Sequence, residues 1–342
     1  MDRQQYSSTT NRIITVTLLT VALLAPLRSA RAQFEKSDWR VVPTNVHVEF
    51  TGGSVFSLAK ALFIDDQGDL WDTWDTAMTL TPYHLDVINS DRKPIEHVRF
   101  TDVEYNTDSS GFICGEQGVL LQTKDWGKVW KQRYFKNLDL LYFYDMAFVN
   151  TRQGVLIGVT GNDSTRYKGI VYRTDDGGDT WEEVPNVKGI GFSRVHHDLE
   201  KNKLIINAIG AVLISDDRGK TWETITLPEG ELMRATILTG DHGISVGGNG
   251  RILLSEDGGE KWKEAKSPTE SNLINISRYS PGQWYIVGDG GEVWRTRDFG
   301  KTWEDMRIKK DVRLNGVKRM GPRLVVWGAD GTIMVRGLGG RR

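Results

Sequence analysis

The 342-residue sequence contains little cysteine, no excess of one charge sign and only short apolar runs. Cys114 is the single cysteine, so an internal disulfide is excluded. The formal net charge of −1 gives no indication of nucleic-acid binding. An apolar stretch at residues 13–24 is too short to span a bilayer, so direct membrane insertion is not predicted.

Residues 1–32 have the composition of a signal peptide. Arg3 and Arg12 form a positive region before the apolar stretch, and Ala30-Arg31-Ala32 resembles a signal-peptidase cleavage site. We therefore expect a protein exported to a periplasmic, luminal or secreted location. Cys114 is far from the cleavage site, so a lipoprotein is not predicted.

An eight-residue phrase, Ser/Thr-x-Asp-x-Gly-x-x-Trp, occurs five times. We call it the box. Its central aspartates are Asp125, Asp176, Asp217, Asp257 and Asp298, and the last four are 41, 40 and 41 residues apart. A sixth, weaker copy runs from Ile64 to Trp71 around Asp66, with Ile in place of Ser/Thr. A period of this size indicates a solenoid, a propeller or an array.

Short runs rich in Val, Ile and Leu precede each box, and a further short run follows each Trp. Four strands in about forty residues is the size of one propeller blade. After the last box the sequence has three strand-like runs and no box, whereas residues 37–43 resemble an isolated outer strand. We therefore predict an all-β, seven-bladed β-propeller of four-stranded antiparallel blades over residues 33–342. Pairing of residues 39–42 with the strands after Arg313 would close the ring.

The box residues are predicted to be structural. An Asp carboxylate can accept hydrogen bonds from backbone N–H groups of its own turn, while Gly supplies positive φ and Trp packs between sheets. This interpretation covers Asp66, Asp125, Asp176, Asp217, Asp257 and Asp298.

Two box spacings are longer than the rest. About 18 extra residues separate Asp66 from Asp125, around residues 76–97, and a second surplus lies at residues 158–169. Insertions in repeat proteins map to loops, which either belong to a binding face or are neutral surface decoration.

Catalytic and metal-binding patterns are weak. Box propellers include sialidases, but the Phe/Tyr-Arg-Ile-Pro signature of those enzymes is missing. His196 and His197 are adjacent, so on a strand they point to opposite faces and cannot chelate one ion together. No catalytic residue, cofactor or metal is predicted.

Four arginines fall near the start of the innermost strand in their repeats: Arg99, Arg194, Arg234 and Arg313. Innermost strands line the channel of a propeller, so these side chains could form a partial positive ring that holds carboxylates. The alternative is that each arginine pairs with an acidic side chain of its own blade.

The complete blade phrase resembles the photosystem II stability/assembly factors and their bacterial relatives. The resemblance is carried by Phe100 to Trp130 and by Gly282 to Trp303, and the blade style extends over nearly all of residues 38–337. It implies a non-enzymatic propeller that binds a protein client, such as a membrane-protein subunit, through an arginine patch. Arg99, Arg194, Arg234 and Arg313 are the nearest match to that patch. We expect a monomer without a nucleic-acid partner; the alternative is a carbohydrate-active enzyme or a glycan-binding propeller.

Overall fold

A computed structural model describes residues 39–88, 94–95, 97–135, 141–161, 168–187, 191–230 and 232–338. These residues form seven separate four-stranded antiparallel sheets, which are the blades. None of the helical segments in these ranges has the length and apolar character needed to cross a membrane. The signal-peptide prediction concerns residues 1–32, which lie outside the described residues.

The first four complete blades follow one another along the chain after β1 (Trp39–Val41). Blade 1 is β2 (Phe50–Val55), β3 (Ala61–Asp65), β4 (Asp69–Thr73) and β5 (Thr81–His84). Blade 2 is β6 (Phe100–Tyr105), β7 (Gly111–Gly115), β8 (Leu120–Thr123) and β9 (Trp130–Arg133). Blade 3 is β10 (Leu141–Phe148), β11 (Gly154–Thr160), β12 (Lys168–Thr174) and β13 (Glu182–Glu183). Blade 4 is β14 (Arg194–Asp198), β15 (Lys203–Ala208), β16 (Ala211–Ser215) and β17 (Glu223–Thr226).

Blades 5 and 6 repeat this plan, and blade 7 completes the ring. Blade 5 is β18 (Met233–Thr239), β19 (His242–Gly247), β20 (Ile252–Ser255) and β21 (Lys263–Glu264). Blade 6 is β22 (Leu273–Ser280), β23 (Gln283–Gly288), β24 (Val293–Thr296) and β25 (Glu304–Asp305). Blade 7 is β26 (Leu314–Met320), β27 (Arg323–Gly328), β28 (Ile333–Gly337) and β1. Three-residue 3₁₀ helices are present at Glu116–Gly118, Gly248–Gly250 and Asp289–Gly291.

Blade 7 is built from both ends of the described chain, which confirms the predicted closure. β1 is its outermost strand and pairs antiparallel with β28, with Trp39 opposite Arg336. Trp39 is 4% exposed and donates its indole N–H to the carbonyl oxygen of Met306 in blade 6 (2.7 Å). Inner strands β26 and β2 are also in contact, so the ring is continuous. Closure of this kind leaves short, protected sheet edges.

The hydrophobic core lies in the seams between neighbouring blades. Ile237 and Ile244 of blade 5 belong to the same buried cluster as Trp284 and Ile286 of blade 6. β-Branched and aromatic side chains fill such half-buried pleated surfaces well, which explains why these runs form strands. Each blade therefore depends on its neighbours to remove its faces from water.

The two edges of the ring differ in the turns they carry. In blade 2, Phe100 at the start of inner strand β6 pairs with Gly115 at the end of β7. At the other end of the same blade, Gly111 pairs with Thr123, where the box begins. We call the edge where inner strands begin the arginine edge, and the edge with the box turns the box edge.

The box turn of blade 4 shows how the repeated motif is held. Asp217 accepts hydrogen bonds from the backbone N–H groups of Lys220 and Thr221 (2.9 Å each) and from the Thr221 hydroxyl (2.6 Å). The Ser215 hydroxyl donates to Asp217 (2.9 Å) and accepts the N–H of Gly219 (2.8 Å), whose φ is +82°. The pattern Ser/Thr-x-Asp-x-Gly thus closes a compact network at this turn.

The sixth copy of the box, assigned from sequence to Asp66, is not in the box position. Residues 64–71 cover the end of β3, the connecting turn and the start of β4, and this turn lies at the arginine edge. In this turn Asp65 accepts the N–H groups of Gln67 (3.0 Å) and Asp69 (2.9 Å). Asp66 instead accepts the backbone N–H of Glu49 (3.0 Å). The sequence assignment was wrong because an Asp-x-Gly-x-x-Trp spacing also suits this shorter hairpin.

The box turn of blade 1 is formed by residues 73–80. Asp75 accepts hydrogen bonds from the Thr73 hydroxyl (2.9 Å) and from the N–H (3.0 Å) and hydroxyl (2.8 Å) of Thr79. Ala77 occupies the usual glycine position with φ of +57°, and Leu80 occupies the tryptophan position. Counted from Asp75, the next box aspartate is 50 residues away (125 − 75), so the first insertion is smaller than expected. Half of the second insertion, residues 162–167, lies outside the described residues.

Candidate functional site: the arginine mouth

The four arginines singled out from the sequence line one cavity of about 440 Å³ at the arginine edge. Arg194 is the first residue of β14 and Arg234 the second residue of β18. Arg99 and Arg313 immediately precede β6 and β26. Because the inner strands lie side by side around the channel, their starting residues meet at the same opening. We call this cavity the arginine mouth.

The arginines occupy two different positions relative to the buried residue that begins each inner strand. Arg99 and Arg313 come just before buried Phe100 and Leu314. Arg234 comes just after buried Met233, where the strand register shifts. The sequence predicts nearly the same position in the repeat for all four arginines. In the structure, Arg99 and Arg313 precede the buried strand residue, whereas Arg234 follows it.

Two of the arginines are engaged by carboxylates of the preceding blade. Arg313 donates from Nε to Asp289 Oδ1 (2.9 Å), and Arg99 Nη2 lies 4.0 Å from Glu49 Oε2. Burial alone would raise the pKa of Asp289, but hydrogen bonds from Asn272 and Arg313 outweigh it and hold that pKa below its ordinary value. These acids bridge blades rather than pairing within one blade.

Arg194 and Arg234 are in a different situation. Within the ranges that the structure describes, neither guanidinium has a carboxylate oxygen within 4.0 Å. Arg234 is exposed and Arg194 is half-buried. A guanidinium without a carboxylate in direct contact can still form a bidentate contact with an external one. These two side chains are therefore the best placed to take an external acid.

Other residues of the mouth were not found from the sequence. Tyr142 and Tyr144 of β10 line the cavity where blade 3 has no arginine, and Leu232 and Ile274 add apolar surface. Tyr144 and Ile274 take the same bulge position as Arg234, because the register shifts at each of these points. Aligning the repeats on that position would have identified them.

Side chains of the inner strands tie the mouth together across blades. The Thr51 hydroxyl donates to the carbonyl oxygen of Phe100 (2.8 Å), and the Thr101 hydroxyl donates to that of Phe143 (2.7 Å). Asn315 donates from Nδ2 to the carbonyl oxygen of Phe50 (3.0 Å), across the point of ring closure. These bonds hold the arginine-bearing strand ends at set distances, as a preorganised binding surface requires.

Behind the mouth, the channel contains a second cavity of about 320 Å³ with an acidic lining. Asp102, Glu104 and Asp145 face it, and Lys318 lies 3.3 Å from Glu104. Arg194 lines both cavities and so marks the boundary between them. Burial raises the pKa of Asp145 well above its usual value, and the charge of Asp102 raises it further.

The adjacent histidines have separate partners. The ring of His196 lies 3.2 Å from the carbonyl oxygen of Leu238, and the ring of His197 lies 2.9 Å from Asn202 Oδ1. Burial lowers the pKa of His196 to about 4, so this ring is neutral near pH 7. In the described part of the chain, no group of three or more His, Cys, Asp or Glu side chains is arranged to hold a metal ion.

Two family models match separate parts of the chain. The model of the photosynthesis system II assembly factor YCF48 family matches residues 57–164, and that of sortilin (neurotensin receptor 3) matches residues 250–321. The photosystem II stability/assembly factor HCF136 of Arabidopsis thaliana is 22% identical over 252 residues, 66% of this chain and 60% of the relative. The photosystem II assembly lipoprotein Ycf48 of Synechococcus sp. (strain CC9902) is 24% identical, with 69% of each chain covered. The chain spans 60% and 48% of the lengths of the chloroplast relatives from Arabidopsis thaliana and rice.

Solved structures share the fold. A YCF48 bound to a D1 peptide superposes with a TM-score of 0.72 at 18% identity, covering 89% of this chain and 96% of the other. YCF48 from Cyanidioschyzon merolae gives 0.68 at 16% identity, with 88% and 99% covered. Virginiamycin B lyase from Staphylococcus aureus, an enzyme, gives 0.66 at 13% identity, with 88% and 99% covered. In sequence and fold, the chain resembles the photosystem II stability/assembly factors, while the propeller itself is shared with enzymes.

Proposed function

We propose that this protein is a non-enzymatic assembly factor that binds a protein client through the arginine mouth. The observation that carries the proposal is the convergence of Arg99, Arg194, Arg234 and Arg313 on one cavity. The similarity to the photosystem II assembly factors supports it, because one solved relative is described with a bound D1 peptide. By analogy, the client is a segment of a membrane-protein subunit.

The chemistry of the mouth suggests which segment of a client would bind. Arg194 and Arg234 favour a carboxylate, from Asp, Glu or a free chain end, because guanidinium groups hold carboxylates in bidentate geometry. Tyr142, Leu232 and Ile274 favour an apolar side chain next to that acid. An acidic, partly apolar peptide is the client class that fits both features.

The proposed compartment follows from residues 1–32, whose sequence is that of a signal peptide. Cleavage would release the propeller as a monomer on the exported side, without a lipid anchor. Cys114 supports the last point, because it lies in β7 and is fully buried. Mass spectrometry of the protein from its native host would test this: an amino terminus at Gln33 is expected, and a lipid-modified or uncleaved chain would contradict it.

Peptide binding tests the proposed client class. We expect a synthetic peptide with two carboxylates and a free carboxyl terminus to bind, and its Gln-substituted, amidated counterpart to bind much more weakly. The double variant Arg194→Gln/Arg234→Gln should weaken binding by about tenfold or more, since each charge-assisted hydrogen bond contributes about 1.5 to 3 kcal/mol. Affinity should also fall as salt rises, because exposed charges are screened. Titration calorimetry measures both effects.

The matched control removes the same charge from the box edge. Lys220→Gln/Lys261→Gln changes two exposed lysines on box turns. We expect unchanged affinity and unchanged unfolding in urea for this variant. Equal binding of the acidic and neutral peptides, or equal loss in both double variants, would refute a role for the arginine mouth.

The enzymatic alternative requires its own assay. A panel of sialosides and neutral oligosaccharides should show no turnover by the purified protein. Turnover that disappears on substitution of a channel carboxylate such as Glu104 would replace the proposed function with a glycosidase.

A further inference from the structure

Asp145 links the channel interior to the strand that carries Arg194. It lies on β10 of blade 3 and is 6% exposed. Its Oδ2 accepts the backbone N–H of Val195 (2.8 Å), the residue after Arg194 in β14 of blade 4. A carboxylate of blade 3 thus holds the start of the inner strand of blade 4.

Arg194 is the neighbour of Val195 and is therefore directly affected by this contact. Its side chain lines both the arginine mouth and the channel cavity, and among the described residues no carboxylate oxygen lies within 4.0 Å of it. The charge of Arg194 nevertheless favours the ionised form of Asp145 and opposes the effect of burial. The guanidinium can therefore offset the negative charge of an acid in the channel cavity or of an acid bound in the arginine mouth.

Asp102 of β6 completes the group. It is 7% exposed, and its Oδ2 has no hydrogen-bond donor in the described part of the chain. It also raises the pKa of Asp145, as a neighbouring like charge does. Asp145 also accepts the backbone N–H of Met146 (3.0 Å), but burial and the charge of Asp102 outweigh its hydrogen bonds and favour the protonated form of Asp145.

Other titratable groups also face Asp145 and Asp102. Glu104 of β6 lies 3.3 Å from Lys318 of β26, which lowers its pKa, but burial outweighs Lys318 and the pKa of Glu104 is raised. His196 of β14 is neutral above about pH 4 because burial lowers its pKa to about 4. Burial raises the pKa of the Cys114 thiol, so it stays protonated.

We infer that Asp145, supported by Asp102, positions Arg194, and that the proton of the Asp145 carboxyl group sets how much of the Arg194 charge faces the mouth. With the proton bound, Arg194 is free to bind a carboxylate of the client. When the proton leaves to solvent through the channel, the second negative charge draws the guanidinium inward. This inference rests on the proposed function of the arginine mouth for its biological meaning.

Arginine labelling tests the positioning without any client. Phenylglyoxal modification of Arg194, divided by that of Arg234 in the same sample, cancels the pH dependence of the reagent. In the wild type we expect this ratio to fall several-fold from about pH 5 to about pH 8.5, a range above the ordinary carboxyl pKa. In Asp145→Asn, which keeps size and an acceptor for Val195 but cannot ionise, the ratio should stay high and flat. A flat ratio in the wild type, or the same slope in both proteins, overturns the inference.

Asp102→Asn supplies a second variant should Asp145→Asn fail to fold. It leaves Asp145 as the single carboxyl group of the pair, so Asp145 loses its proton more readily and the fall in labelling should move to lower pH. An unchanged midpoint in this variant also overturns the inference. Urea unfolding of each variant confirms that the labelled protein is folded.

Peptide affinity gives the functional readout. For the acidic peptide, the wild-type Kd should rise about tenfold from low to high pH, the size of one lost charge-assisted contact. The Kd of Asp145→Asn should change less, and with Arg194→Gln already present the Asp145→Asn substitution should have no further effect. If the wild type binds no acidic peptide but the labelling ratio falls, the proposed function fails and the positioning stands. If binding occurs with identical pH profiles in both proteins, the inference fails and the proposed function stands.

Discussion

The carboxylates of Asp217 and Asp145 differ in the hydrogen bonds that they receive. Partial burial alone would raise the pKa of Asp217, but hydrogen bonds from Thr221, Ser215 and Lys220 outweigh it and hold the pKa below its ordinary value. Asp145 accepts fewer bonds and lies beside another acid, so its pKa is raised. The same type of side chain therefore stabilises a turn in one place and has a raised pKa in another.

Asp217→Ala should lower the free energy of unfolding by about 1 to 3 kcal/mol, because two backbone N–H groups of the box turn lose their acceptor. Urea denaturation measures the change, and peptide affinity should stay the same, since the box edge is remote from the arginine mouth. The matched control is Asp216→Ala, which alters the adjacent exposed carboxylate. A loss of affinity at unchanged stability would contradict the structural role assigned to the box.

The box aspartates and Asp145 predict opposite pH effects on the free energy of unfolding. The pKa is lowered in five box aspartates: Asp75, Asp176, Asp217, Asp257 and Asp298. Their contribution is present above the unfolded-state pKa of about 3.9 and is lost as the pH falls through the folded pKa. The raised pKa of Asp145 acts in the other direction, because folding then costs more as the pH rises above about 3.9.

Urea unfolding from pH 3 to pH 8.5 checks these signs, with a maximum of stability expected between the two limbs. Asp217→Asn should reduce the loss on the acid side, and Asp145→Asn should reduce the loss on the alkaline side. An acid limb that is unchanged in Asp217→Asn would show that other carboxyl groups cause it.

At the scale of elements, the box belongs to the turn between the third and fourth strands of a blade. Blade 1 keeps this turn although Ala77 and Leu80 replace the glycine and tryptophan of the motif. Strand pairing and the Thr73 and Asp75 hydrogen bonds are thus sufficient to form it. The segment around Asp66 has more of the motif letters but a different place in the blade.

Asp75→Ala should therefore destabilise the protein more than Asp66→Ala. Asp75 accepts bonds from two backbone N–H groups and two hydroxyl groups, so we expect a loss of about 1 to 3 kcal/mol. Asp66 accepts one backbone N–H, from Glu49, so its loss should be nearer the lower value. Urea denaturation of the two variants side by side decides the point; a larger loss in Asp66→Ala would restore the sequence assignment.

At the scale of the whole molecule, stability depends on closing the ring between β1 and β28. Trp39 fills a cluster that includes Met306 of blade 6 and Val317 of blade 7, so a single outer strand joins two blades. The inter-blade bonds of Thr51, Thr101 and Asn315 continue this connection around the mouth. The arrangement of the four arginines depends on the same closure.

Trp39→Ala should cost about 3 to 5 kcal/mol, the usual effect of truncating a buried tryptophan. It should also weaken binding of the acidic peptide in the folded fraction, because β26 and Arg313 belong to the blade that loses its outer strand. Trp126→Ala provides the control, since that indole is 42% exposed on the box edge. Denaturation midpoints and calorimetry on both variants measure the two effects; equal losses would argue against a special role for closure.

The sequence by itself determined the blade number, the strand content and the closure, because periodic apolar runs and turn residues are local signals repeated along the chain. It also identified Arg99, Arg194, Arg234 and Arg313, since their place in the repeat translates into a shared edge of a ring. Only the tertiary structure decided which turn of blade 1 is the box and which carboxyl group lies behind Arg194. Asp102, Asp145 and Arg194 come from three blades, and they line one cavity because of the curvature of the ring, which no spacing within one repeat encodes.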